Sequence, residues 1–349
     1  MKGKQGMVCM GLLLVLSSCH TGKQITASGL QRKDFQTEVN GQHTDLFTLS
    51  NKQGMEVCIT NYGARVVSIL VPDRNGKRED VVCGFSTITE YMEQRQNFGS
   101  TVGRYIGRIL NARFTLDGVE YKLVPNNGKS GHISHGGNPG FADRIWKVEQ
   151  ADTHRVRLSY LSPDGENGFP GNLKVTLVYS LGEDDNALDL TYEATTDAPT
   201  VLNLSHHSFF NISGNFTKSV EDQQLWVDAD RFTPYDDKKC VTGEYLQVAG
   251  TPLDFRMPHA IGECIDADHP QLKVVNGYDH TWELNTKGDD TRPAAWVYDP
   301  ASGRKMEIFT TEPGMQIYTG NGLKGKMTGK GGIAYPFRSA VCFETMHFQ

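Results

Sequence analysis

Short apolar or alternating runs, each cut off by Gly, Pro, Asn or Asp, recur along most of this chain. No other feature constrains its fold as strongly. The stretch "ARFTLDGVEYKLV" (112–124) shows the pattern: Phe114 and Leu116 precede Asp117-Gly118, then Val119, Tyr121 and Leu123 follow, alternating with polar residues. In a strand, alternate side chains share one face, and Asp-Gly tolerates the positive φ angles of a two-residue hairpin turn. The same reading applies to "GMEVCITNYG" (54–63), "ARVVSILVPDRNGKREDVVCGF" (64–85), "LKVTLVYSL" (173–181), "NALDLTYEAT" (186–195), "QLWVDADRFT" (224–233) and "MQIYTGN" (315–321). Only "ITEYMEQRQ" (88–96) predicts a helix, and a short one. There is no repeat of 20 to 50 residues and no alternation of strands with helices. The expectation is an all-β fold, a large antiparallel β-sandwich, and no shift in composition marks a second domain.

The first residues read as an address. "MKGKQGMVCMGLLLVLSSC" has a lysine-bearing start, an apolar run too short to span a bilayer, and small residues before a cysteine. This is the layout of a secretory signal peptide over 1–18. "LSSC" also resembles the bacterial lipobox, which makes Cys19 the lipidated first residue of the mature chain, anchored at a membrane surface. That implies a periplasmic or cell-surface lipoprotein. Residues 19–34 are polar and read as a flexible tether, and 35–349 as the folded domain. The net charge is −6 and no Lys/Arg-rich block stands out, which argues against a nucleic-acid partner. Beyond Cys9 and Cys19 the chain has Cys58, Cys83, Cys240, Cys264 and Cys342. They are odd in number, far apart and without a CxxC pair, so neither a disulfide framework nor a zinc site is expected.

Five polar islands interrupt the strands: "GRYIGRI" (103–109), "HISHGG" (132–137), "SHHSFFN" (205–211), "GYDHTW" (277–282) and "FET" (343–345). Singly, each has an ordinary structural role: Arg108 in a surface ion pair, His135 in a turn, His207 in the core, Asp279 capping a turn, Glu344 on a solvent face. "SAVCFETMHF" (339–348), however, is a mostly apolar strand, where a carboxylate is costly unless paired or used. Burial would raise its pKa and strengthen it as a base.

Taken together, the islands resemble the aldose 1-epimerase (galactose mutarotase) family from about Phe35 onward. The markers stand in family order: "VGRYIGRI", "HGG" followed by "GFADRIW", "NLSHHSFFNISG", "DFR", "NGYDHTWEL", "EPGMQIYTGNGL" and "CFET". The resemblance implies a large β-sandwich with its site in a groove on one sheet, and interconversion of the α and β anomers of free aldohexoses such as galactose and glucose. It implies Glu344 as general base on the C1 hydroxyl and His207 as general acid on the ring oxygen. Arg108, His135, Asp279 and Gln316 would hold the sugar. His206 falls where the family carries asparagine and would support the site from beneath. No metal, nucleotide or redox cofactor is implied. The partner is the free sugar, with the protein a monomer or weak dimer.

Two departures stand out. Gly107 occupies a place where many relatives carry asparagine. The chain also ends at "FETMHFQ", where family members usually continue, so an unpaired sheet edge beside the Glu344 strand is expected. Three other functions compete: a non-catalytic surface-anchored carbohydrate-binding sandwich; a related epimerase acting on sugar phosphates, disfavoured because the nearest basic stretch, "DRNGKRED" (73–80), holds as many acids as bases; and a glycoside hydrolase with Asp279 and Glu344 as its carboxylate pair.

Overall fold

The structure is a computed structural model and describes residues 24–348. The expected signal peptide and Cys19 lie outside the described residues. Two pairs of antiparallel sheets make up the body of the fold. Strands Leu46–Ser50, Glu56–Thr60, Arg65–Pro72 and Arg78–Asp80 form a four-stranded sheet in chain order. It shares an apolar core with a second four-stranded sheet of Lys147–Ala151, Arg155–Ser162, Leu173–Leu181 and Leu188–Thr196. Alternation drives this: Val57 and Ile59 of one sheet join Val156, Leu158, Val175 and Leu177 of the other.

The second pair builds the site. A six-stranded sheet runs Phe209–Phe210, Val341–Met346, Gly314–Tyr318, Asp279–Leu284, Ala229–Thr233, Leu246–Gln247. Its inner face carries Trp282, Met315, Ile317 and Phe343. These pack with Leu225, Val227 and Val297 of a four-stranded sheet ordered His259–Ala260, Gln224–Val227, Ala295–Tyr298, Lys305–Ile308. Phe210 touches both cores and bridges to Val82 of the first half. The result is the all-β sandwich the sequence predicts.

The Asp117-Gly118 hairpin forms in the predicted register, Leu116 opposite Val119. Its turn residues have φ angles of 50° and 78°, and the Phe114 and Tyr121 rings stack with centroids 5.3 Å apart. The predicted helix spans Ile88–Gln94, started by a Thr87/Glu90 capping box and stopped by Arg95 in the left-handed region. A second helix, Pro270–Val275, escaped the sequence reading. Its six residues are too few to show a helical period, and Pro270 at the first turn is its only start signal.

Two expectations need correction. Residues 24–34 are not a free tether: Leu30 is buried, Ala27 N–H donates to Glu56 at 2.6 Å, and Arg32 is paired with Asp45. Polar composition conceals partners that only the first sheet supplies. The edge expected beside the Glu344 strand is only partly there: Gly314–Tyr318 pairs with Cys342–Met346 on one side, and on the other the two-residue edge strand Phe209–Phe210 pairs with Cys342 and Val341 alone. Asparagine side chains fasten both ends of the Glu344 strand. Asn211 donates to the Ser339 carbonyl at 2.9 Å, and Asn203 exchanges two hydrogen bonds with the backbone of His347 at 2.9 and 3.0 Å.

Candidate active site

Sheet register assembles the floor of the site. Thr281, Gln316 and Glu344 stand directly opposite one another on three adjacent strands. Asp279, Tyr318 and Cys342 form the next row. Alternation therefore puts Asp279, Gln316 and Glu344 on one face, while His280, Ile317 and Phe343 point to the other. Gln316 joins the rows. Its Nε2 donates to Asp279 Oδ1 at 2.7 Å, and its Oε1 accepts from Thr281 at 3.2 Å and from the Tyr235 hydroxyl at 3.5 Å.

The opposing side comes from loops and short ribbons. His207 ends the strand Ser205–His207, paired with Ser100–Val102. Its ring stacks on Phe209, centroids 5.0 Å apart, and its Nε2 lies 3.4 Å from Glu344 Oε1. Neighbouring His206 faces the other way, toward Tyr179 in the first core at 6.0 Å. Alternation separates the two imidazoles, and the second reaches the carboxylate. Arg108 and His135 ride on a two-stranded ribbon of Arg108–Ile109 with Ile133–Ser134. The His135 ring meets that of His207 at 5.5 Å, edge to face. Arg108 donates to the Lys239 carbonyl at 2.9 Å and lies 5.9 Å from the centre of the Tyr235 ring. The "HGG" motif has a steric reason: at Gly136, with φ +79°, a Cβ would fall 1.8 Å from the Gly103 carbonyl oxygen. Gly107 also takes a positive φ, 77°, a region asparagine visits readily. Its N–H faces His135 Nδ1 at 3.4 Å.

Electrostatics mark the same cluster. Glu344 is 2% exposed, and burial holds its carboxyl well above the ordinary range; Asp279 adds to that and Arg108 opposes it. Burial pushes His207 well below 6.5, with His135 next in effect. His135 is pushed down to about 4 by burial and then by Arg108. Asp279 is raised by burial against the pull of Arg108 and Gln316. Each group is thus shifted against bearing charge alone, as in sites that trade protons.

All six predicted site residues of the folded domain converge here. Comparison with known proteins agrees with the geometry. The aldose 1-epimerase family model matches residues 45–349. The chain belongs to the aldose 1-epimerase family. Galactose mutarotase of Sus scrofa is 38% identical over 302 residues, covering 86% of this chain and 85% of that protein. Aldose 1-epimerase of Escherichia coli (strain K12) is 36% identical over 286 residues, covering 82% and 81%. Among solved structures, an aldose epimerase homologue from C. elegans superposes with a TM-score of 0.79 at 30% identity, covering 87% of this chain and 89% of that one. Galactose 1-epimerase from Lactobacillus acidophilus gives 0.78 at 29% identity, covering 89% and 88%. The fold is therefore that of the galactose mutarotase-like sandwiches.

Within this candidate site, sequence reading missed Thr281, Tyr235 and Asn203. Thr281 is two residues beyond Asp279 and could have been found by alternation once Gln316 was placed. Asn203 opens the "NLSHHSFFNISG" motif; besides holding His347, it accepts Ile106 N–H at 2.9 Å and so ties the arginine island to the Glu344 strand. Tyr235 had no signal, because it sits in the turn-like "TPYDD" (233–237). The two arginines of "GRYIGRI" also divide their work. Arg104 is buried and donates to the carbonyls of Ser162, Pro163, Pro170 and Gly171, so it is structural, while Arg108 belongs to the site.

Proposed function

We propose that this protein interconverts the α and β anomers of free aldohexoses, galactose and glucose among them, by general acid–base ring opening. The observation that carries the reading is the buried pair of Glu344 and His207, 3.4 Å apart. Ring opening needs one proton off the C1 hydroxyl and another onto the ring oxygen, two atoms joined through a single carbon. Two close, fixed groups can reach one oxygen each. Glu344, as carboxylate, takes the hydroxyl proton while His207, as imidazolium, gives one to the ring oxygen. The open aldehyde turns about C1–C2, and the ring closes on the other face with both transfers reversed. Each positioned group supplies roughly 10²–10⁴-fold. Burial disfavours an isolated ion on either group, so the pair holds one proton between them over a broad pH span. Arg108, His135, Asp279 and Gln316 present donors and acceptors to the sugar hydroxyls; a guanidinium binds oxygens without titrating. A purely sugar-binding sandwich has no need of the acid–base pair.

On this reading the domain acts in the periplasm or at the cell surface, held by lipid on Cys19. The support is the "LSSC" stretch after an apolar run. Saturation transfer between sugar anomers by NMR tests the activity, and exchange no faster than in buffer would reject it. Membrane fractionation tests the anchor: Cys19→Ala should move the protein to the soluble fraction, and wild-type protein found there unlipidated would remove the basis for it.

A further inference from the structure

Cys342 is a buried thiol that the proposed chemistry does not use, yet it stands beside the acid–base pair. One atom each from Cys342, His207 and Glu344 lie within 4.8 Å of one another, and all three residues are buried. His207 Nε2 and Glu344 Oε1 are 3.4 Å apart. That is the spacing of two ligands on a tetrahedral zinc with bonds of about 2.0–2.1 Å. A sulfur ligand at about 2.3 Å would complete three protein positions after a side-chain shift of roughly an ångström.

We propose that the His207–Cys342–Glu344 cluster binds Zn²⁺, and that the metal inhibits the enzyme by occupying the acid–base pair. It rests on the assignment of His207 and Glu344 as that pair. The donor set favours a borderline-soft ion over Mg²⁺ or Ca²⁺, since thiolate and imidazole suit zinc while hard cations prefer oxygen alone. Binding exchanges the S–H bond for a Zn–S bond and displaces the proton that Glu344 and His207 share, releasing both protons to buffer, so affinity rises with pH.

The test uses chelator-treated full-length mature protein, with Zn²⁺ as probe and Mg²⁺ as control. Calorimetry should find one Zn²⁺ per chain and no comparable Mg²⁺ binding. Galactose anomer exchange should fall in proportion to zinc occupancy and return with EDTA. Cys342→Ser should keep basal exchange and raise the inhibitory Zn²⁺ concentration more than tenfold, since losing a ligand should exceed the lower end of the ~10–100-fold cost of losing an outer-shell partner. Absence of stoichiometric Zn²⁺ binding, or equal zinc sensitivity in Cys342→Ser, overturns the proposal. If that variant does not fold, Co²⁺ in the wild-type protein decides: a thiolate-to-cobalt charge-transfer band supports the site, and its absence overturns it. Zinc binding that depends on Cys342 in a protein without anomer exchange would uphold the metal site and reject the function.

Discussion

Replacing Glu344 by Gln is the sharpest perturbation of the proposed chemistry. Glutamine keeps the volume of the side chain and removes only the ability to take a proton. Loss of a positioned base should lower anomer exchange by roughly 10²–10⁴-fold. That corresponds to about 2.7–5.4 kcal/mol at ~1.36 kcal/mol per tenfold. Folding should barely respond, because burial already disfavours the Glu344 carboxylate, as its raised pKa records. His207→Asn should cost a similar factor in rate. It also removes a ring stacked on Phe209 and set against His135, so it should lose about 1–3 kcal/mol of stability. The pair acts in one event across 3.4 Å, so the double variant should be about as slow as the worse single one. Polarimetry of freshly dissolved α-galactose, corrected for the buffer rate, measures all three, with circular dichroism checking the fold. Undiminished exchange in Glu344→Gln, or a double variant slowed by the full product of the single losses, would refute the reasoning.

Three further outcomes follow from the site and its supports. Asp279 raises the Glu344 pKa and Arg108 lowers it. Asp279→Asn should therefore move the limb of the kcat/KM pH profile that reports Glu344 to lower pH and Arg108→Gln should move it higher, whatever the loss of rate; shifts of the same sign would contradict this. Tyr235→Phe keeps the ring near Arg108 but removes the hydroxyl that donates to Gln316. It should raise KM about 5–10-fold, in line with ~1–1.5 kcal/mol for one hydrogen bond, with kcat little changed; a fall in kcat at constant KM would place the hydroxyl in the chemistry instead. Arg104→Ala leaves at least four backbone carbonyls without their guanidinium donor and should destabilise the fold by more than about 3 kcal/mol, read by chemical denaturation.

The β class, the Asp117-Gly118 hairpin and the helix at Ile88–Gln94 were legible because each depends on neighbours within a few residues: a period of two, a turn dipeptide, a short run of helix formers. Gln316 and Glu344 could likewise be assigned to the same face as their alternate residues. What local pattern could not supply is register between distant strands, which alone sets Gln316 against both Thr281 and Glu344. The packing of residues 24–34 and the pairing of Val341 and Cys342 with Phe210 and Phe209 were hidden for the same reason, since their partners lie elsewhere in the chain, whereas the helix Pro270–Val275 was hidden because it is too short to show a period. Residue chemistry and periodicity thus determined the strands, the faces and the kinds of group available. The family motif singles out His207 over His206, but only tertiary structure brings it to 3.4 Å from Glu344, because that contact depends on which face of a three-residue strand turns toward a carboxylate 137 positions later.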